Sequence, residues 1–92
     1  MATHPTVIRR WVQAQLAIRK DREFDSERDL FPLFEAIGKA WLFDADDMRL
    51  IHRKPNLRPL WKENMSAVLR DLGKSGTITP INNRGGSRYV IN

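Results

Sequence analysis

Hydrophobic and polar positions change rhythm along this chain, and each change marks an element. From about Pro5 to Lys20, Val7, Trp11, Ala14 and Ile18 recur at the spacing of an amphipathic helix. Pro5 or Thr6 can open it, because a first-turn N–H has no intrahelical partner to lose. Ile8, Val12 and Leu16 widen the apolar face beyond the usual stripe. Two explanations fit that width, a face covered by a second copy and a deeply buried helix, and burial is favoured. Arg9, Arg10, Gln13 and Lys20 take the polar side.

Asp21 to Arg28 is a mixed-charge connector in which no strand pattern stands out. A second helix is expected from about Leu30 to Phe43, with Leu30, Leu33, Phe34, Ile37, Ala40 and Trp41 on its buried stripe. Pro32 then falls in the first turn if Asp29 is the N-cap, while Ser26 could cap a separate short turn. Asp44, Asp46 and Asp47 predict a third helix. The first would cap it, the other two would sit where the helix dipole favours negative charge, and Met48 and Ile51 would form its apolar edge. Pro55 pushes Lys54 out of the helical region, so that helix ends there and residues 55–59 form a stiff turn. The fourth helix runs from about Pro59 or Leu60 to Lys74, with Trp61, Met65, Val68, Leu69 and Leu72 within one narrow arc.

Beyond Gly76 the period changes to two. Thr77 to Ile81 reads as a strand, placed at an edge by Pro80, and Arg88 to Ile91 reads as its return. The intervening Asn82-Asn-Arg-Gly-Gly-Ser87 supplies hairpin-loop chemistry. A lone hairpin is marginal in water, so it must lean on the preceding helix. Trp11, Trp41 and Trp61 all lie on apolar stripes and are expected in the core.

Composition sharpens this picture. Ninety-two residues suffice for one domain, and no apolar run reaches membrane-spanning length. The first residues lack the pattern of a secretory signal, so the cytoplasm or a nucleoid is the expected location. There is no cysteine, hence no disulfide, thiolate metal site or cysteine nucleophile. His4 and His52 lie far apart and near no carboxylate cluster, and no phosphate- or dinucleotide-binding motif is present. A non-enzyme without a cofactor or metal is expected, the three aspartates being read as capping groups.

The net charge is +5 and unevenly spread. Residues 1–48 hold seven Lys/Arg against nine Asp/Glu, whereas residues 49–92 hold nine against only Glu63 and Asp71. Such polarity suits a polyanion.

The basic half carries a resemblance. Leu69-Arg-Asp-Leu72, then Gly76 and Ile78, then Gly85-Gly-Ser-Arg-Tyr-Val-Ile91 resembles the recognition helix and wing of winged helix-turn-helix DNA-binding domains over about residues 44–92. It is similar, more loosely, to winged-helix domains attached to some restriction endonucleases. The resemblance implies a mainly α protein with a small C-terminal β-hairpin (α+β). Within one domain, residues 1–43 would add two helices before the winged-helix part, with a recognition helix at about 59–74 and a wing at about 77–91.

Physical chemistry assigns roles within that frame. The outer face of the 59–74 helix holds Glu63, Ser66, Ala67, Arg70 and Lys74, flanked by Lys62 and Asn64. Arg70 can bridge guanine O6 and N7, with Ser66 beside it. Ala67 could meet a thymine methyl, and Glu63 could accept from cytosine N4. Arg58 and the N–H groups opening the helix could hold a phosphate, with Arg53 and Lys54 just upstream. At the wing, Asn83, Arg84, Gly85, Gly86, Ser87 and Arg88 suit a narrow groove, where backbone approaches closely and arginine enters.

The expected partner is therefore double-stranded DNA, bound by a small transcriptional regulator or a recombination or restriction accessory factor. RNA or single-stranded DNA is second choice, because Tyr89 alone among the aromatics has a basic setting. One reading head per chain suggests a homodimer through the N-terminal helices. The alternative is a protein–protein interaction module, favoured if Glu63 and Asp71 pair off the basic side chains.

Overall fold

Pro5 opens α1 (Pro5–Ile18), and the imidazole Nδ1 of His4 accepts the Thr6 N–H at 3.1 Å to cap it. The computed structural model describes residues 2–53, 56–81 and 87–92 and, of His52, Arg53 and Asn56, the backbone alone. The further elements are β1 (Glu23–Asp25), α2 (Phe31–Ile37), β2 (Leu50–Arg53), β3 (Asn56–Pro59), α3 (Leu60–Lys74), β4 (Ile78–Pro80) and β5 (Arg88–Ile91). The fold is α+β, three helical stretches with two small antiparallel sheets. One sheet has the order β1-β5-β4, and β2 and β3 form the other. No described helix is long and apolar enough to cross a membrane.

One core joins both halves of the chain. Ile8, Val12 and Leu16 of α1 pack with Trp61, Met65, Val68, Leu69 and Leu72 of α3, and Phe24, Leu30, Phe31, Phe34 and Ile78 close the cluster. Trp61 sits at its centre, with its ring against Phe31, Phe34 and Phe43 at centroid separations of 6.1, 6.0 and 5.4 Å. The predicted α3 and its buried arc appear as expected, as do the edge strand containing Pro80 and its return. Gly76, at φ 84°, ends α3, and the Thr77 N–H reaches back to the Leu72 carbonyl at 3.0 Å.

Four expectations need correction. The charged connector contains β1, whose Phe24 is buried and pairs in register with Tyr89 of β5. A strand of three residues has too little alternation to be seen locally, and it exists because β5 completes it. The second helix begins earlier than expected. Residues 26–42 are helical throughout, with π-helical turns Ser26–Leu30 and Gly38–Leu42 on either side of α2. A π turn advances fewer degrees per residue, so a single 100° wheel cannot phase this stretch. Leu30, Phe31 and Phe34 turn inward, while Leu33, Ile37, Ala40 and Trp41 face solvent, Trp41 at 88% exposure.

The expected third helix is absent. Residues 45–48 form a turn, and Leu50–Arg53 then pairs as a strand with Asn56–Pro59, so residues 56–59 are strand where a stiff turn was expected, while Pro55 lies outside the described residues. Met48 and Ile51 were too narrow an apolar edge to anchor a helix. The aspartates still cap: Asp44 Oδ1 accepts the Asp46 and Asp47 N–H groups at 2.9 and 3.2 Å. Fully buried Asp47 receives the Thr3 N–H at 2.7 Å, the Thr3 hydroxyl at 3.0 Å and the Asp44 N–H at 3.0 Å. Finally, α1 is buried through Ile8, Val12 and Leu16, while Val7 and Ile18 are left exposed. Its apolar arc is wider than its contact with α3.

Candidate nucleic-acid interface

Because Trp61, Met65, Val68, Leu69 and Leu72 must face inward, the 3.6-residue period turns Ser66, Arg70 and Lys74 outward along one line. That line borders an open groove of about 540 Å³, whose opposite walls are Glu27 and Phe31 from the 26–42 stretch and Ser87 and Tyr89 at the base of the β4–β5 hairpin. Arg58, at the end of β3, closes one side. Five expected site residues thus share one surface: Arg58, Ser66, Arg70, Lys74 and Ser87.

Their electrostatic settings differ. Arg58 lies 3.8 Å from Glu27 and 3.6 Å from Glu63, and Lys62 lies 3.8 Å from Glu27. The Lys62 ammonium also stands over the Phe31 ring, 5.5 Å from its centroid. No carboxylate pairs with Arg70 or Lys74 among the described residues. Asp71, next to Arg70 in sequence, is instead drawn to Arg9 of α1 at 3.3 Å. Burial pushes the Tyr89 phenol above its ordinary value, and the nearby Arg70 guanidinium pulls the other way. The Tyr89 ring stacks on Phe24 at 5.4 Å, so its face is already covered on one side.

Ser87 is held from two directions. Its hydroxyl donates to Asp25 Oδ1 at 2.7 Å, and its carbonyl accepts the Ser26 N–H at 2.8 Å. The Ser87 bond is the largest cause holding the Asp25 carboxyl below the usual carboxylate range; the Glu27 and Arg28 N–H groups add to it. Asp25 also caps the π turn by accepting the Glu27 N–H at 3.0 Å. One carboxylate therefore fastens the hairpin base to the start of the helical stretch that carries Glu27.

Other expected residues fall elsewhere. Ala67 is half-buried and off the groove, and Glu63 turns toward Arg58 with only 13% of its side chain exposed. Arg88 alternates to the far face of β5 from Tyr89, where it lies 3.6 Å from Glu23. The N–H groups opening α3 are partly engaged, because Leu60 donates to the Arg49 carbonyl at 2.9 Å and Trp61 to that of Asp47 at 3.0 Å. Those two cannot hold a phosphate as expected. The side chain of Arg53 and residues Lys54, Asn83, Arg84, Gly85 and Gly86 lie outside the described residues. Sequence reasoning missed Glu27, Phe31 and Asp25. Asp25 and Glu27 belong to the connector, where charges in sequence carried no hint of facing α3, and Phe31 lay off the stripe expected of the second helix.

Among the described residues, no group of three or more His, Cys, Asp or Glu side chains could hold a metal ion. Comparisons of the chain with protein-family models, with curated proteins and with solved structures give no match.

Proposed function

We propose that this chain binds double-stranded DNA as a winged-helix protein without catalytic activity, with α3 entering the major groove. Arg70 and Ser66 would meet base edges, Lys74 and Arg58 would meet phosphates, and the 82–88 wing would lie on the flanking groove. The observation that carries this is the line Ser66, Arg70, Lys74 opening into the groove, with no described carboxylate on either cation. The element order also supports it. A helix, a short strand, two further helical stretches and a hairpin whose return strand pairs with the first strand extend the winged-helix reading from residues 44–92 to nearly the whole chain. The β2–β3 hairpin then occupies the place of the usual short turn between the second and third helices.

Titration of a labelled duplex tests the reading. Wild-type chain is expected to bind with micromolar affinity at low salt, and the double variant Arg70→Ala/Lys74→Ala to lose most of that binding. Equal affinities would contradict it.

The Glu27 and Glu63 pairs with Arg58 and Lys62 favour a second reading, a protein-interaction module. Under it the groove docks a partner protein, and duplex binding is absent even at low salt.

A further inference from the structure

We propose that the outer faces of α1 and α2 form a two-fold contact with a second copy of this chain. On α1, Val7, Trp11 and Ile18 form a stripe beside the buried edge. Ile18 is 75% exposed and Val7 42%, while Trp11 is half-buried. On the 26–42 stretch, Leu33, Ile37 and Trp41 recur every fourth residue and are exposed together. The two elements meet through the Trp11 ring, whose centroid lies 4.9 Å from that of Phe34. Phe31, on the opposite flank of α2, faces Trp61 instead, so the stripe lies away from the groove and shares no residue with it.

Area and charge point to a second copy as the occupant. Trp41 at 88% exposure, with Ile18 and the partly exposed aliphatic side chains of both stripes, offers apolar area of roughly several hundred Å². Monomers rarely expose larger patches than about 300–600 Å², and a standard interface covers about 800 Å² per partner once its rim is added. The stripe itself carries no charge. Arg9 is drawn to Asp71 on the other flank of α1, and Glu35 and Lys39 pair with each other at 3.8 Å on the other flank of α2. The stripe's own side chains set no like charges against each other across a two-fold axis, and exposed Arg10 lies on its rim. This contact also accounts for the excess width of both apolar arcs, which the core leaves unused.

Sedimentation equilibrium tests the contact. Wild-type chain is expected at twice 10.7 kDa at about tens of micromolar, within the range such interfaces reach. Trp41→Glu and Ile18→Glu alter exposed positions, so both should keep the wild-type circular dichroism spectrum. Each should weaken association by roughly 100-fold, because a two-fold contact loses the anchor twice. A wild-type monomer throughout, or two folded variants that stay dimeric, would overturn the proposal; in the first case the stripe serves a different protein. Duplex binding by the same samples reports on the groove separately. A dimer that ignores DNA refutes the function above and leaves this contact standing, and a DNA-binding monomer does the reverse.

Discussion

At the start of α3, Arg58 and Lys62 share Glu27 across 3.8 Å, and Glu63 adds a second carboxylate to Arg58. At its other end Arg70 and Lys74 border the same groove, and no described carboxylate pairs with either. The two clusters look alike in sequence and differ in what they can offer an anion. A phosphate approaching Arg58 must displace or tolerate a carboxylate already in place. One approaching Arg70 meets an unopposed guanidinium beside a half-buried tyrosine. The groove is therefore polarised: Arg70 and Lys74 border it with no described carboxylate paired to either, while Arg58 and Lys62 are answered by Glu27.

Trp61→Ala should have the largest effect, since it removes the ring that seats the start of α3 on Phe31, Phe34 and Phe43. A loss of about 3–5 kcal/mol in urea unfolding is expected, and with it both clusters. A loss below about 1 kcal/mol would mean that α3 is positioned by something other than this aromatic cluster. Arg70→Ala comes next, costing about 1–3 kcal/mol of duplex affinity and relaxing sequence preference. Arg58→Ala should cost far less, within about 0.5 kcal/mol, because its charge is already answered. Reversal of that order would show that Glu27 and Glu63 do not answer the charge of Arg58.

Much of α3 and the final hairpin was legible because their signals are local. Fifteen residues of α3 hold one clean stripe, and Gly76 and Pro80 mark where helix and edge strand must stop. The remainder depends on distant partners. Phe24 becomes part of a strand only through Tyr89, and Leu50–Arg53 pairs with Asn56–Pro59 as strands where a helix and a turn were expected. Leu33 and Ile37 lie on the flank of α2 away from buried Phe31 and Phe34, and Trp41 follows in a π turn, so a stripe that reads as core is surface. For the site, Arg58, Ser66, Arg70, Lys74 and Ser87 follow from the α3 period and the hairpin. Glu27 does not, because nothing in Asp21 to Arg28 reveals which charge the fold will turn toward α3.

Glu27→Gln releases Arg58 and Lys62 together. It should strengthen duplex binding by about 0.2–1 kcal/mol at low salt and bring the Arg58→Ala penalty closer to that of Arg70→Ala. No change in either quantity would show the pairs to be energetically silent.

The Asp25–Ser87 bond sets a pH dependence. With the folded-state carboxyl below its ordinary value of 3.8, its stabilisation is complete above that value and is lost as pH falls through the lower folded one. Thermal melts of the wild type should be level from pH 7 to about 5 and decline below 3.8, and Ser87→Ala should shallow the decline. An identical acid limb in both would remove Asp25 as the fastening of the hairpin.

Duplex binding through the α3 groove is tested most directly by fluorescence anisotropy of a random-sequence duplex across a salt series. Micromolar binding is expected at low salt, with log affinity falling against log salt at a slope of roughly −3 to −6, or about four to six phosphate contacts. No binding at low salt, or an affinity indifferent to salt, would contradict it and assign the basic groove to a protein partner.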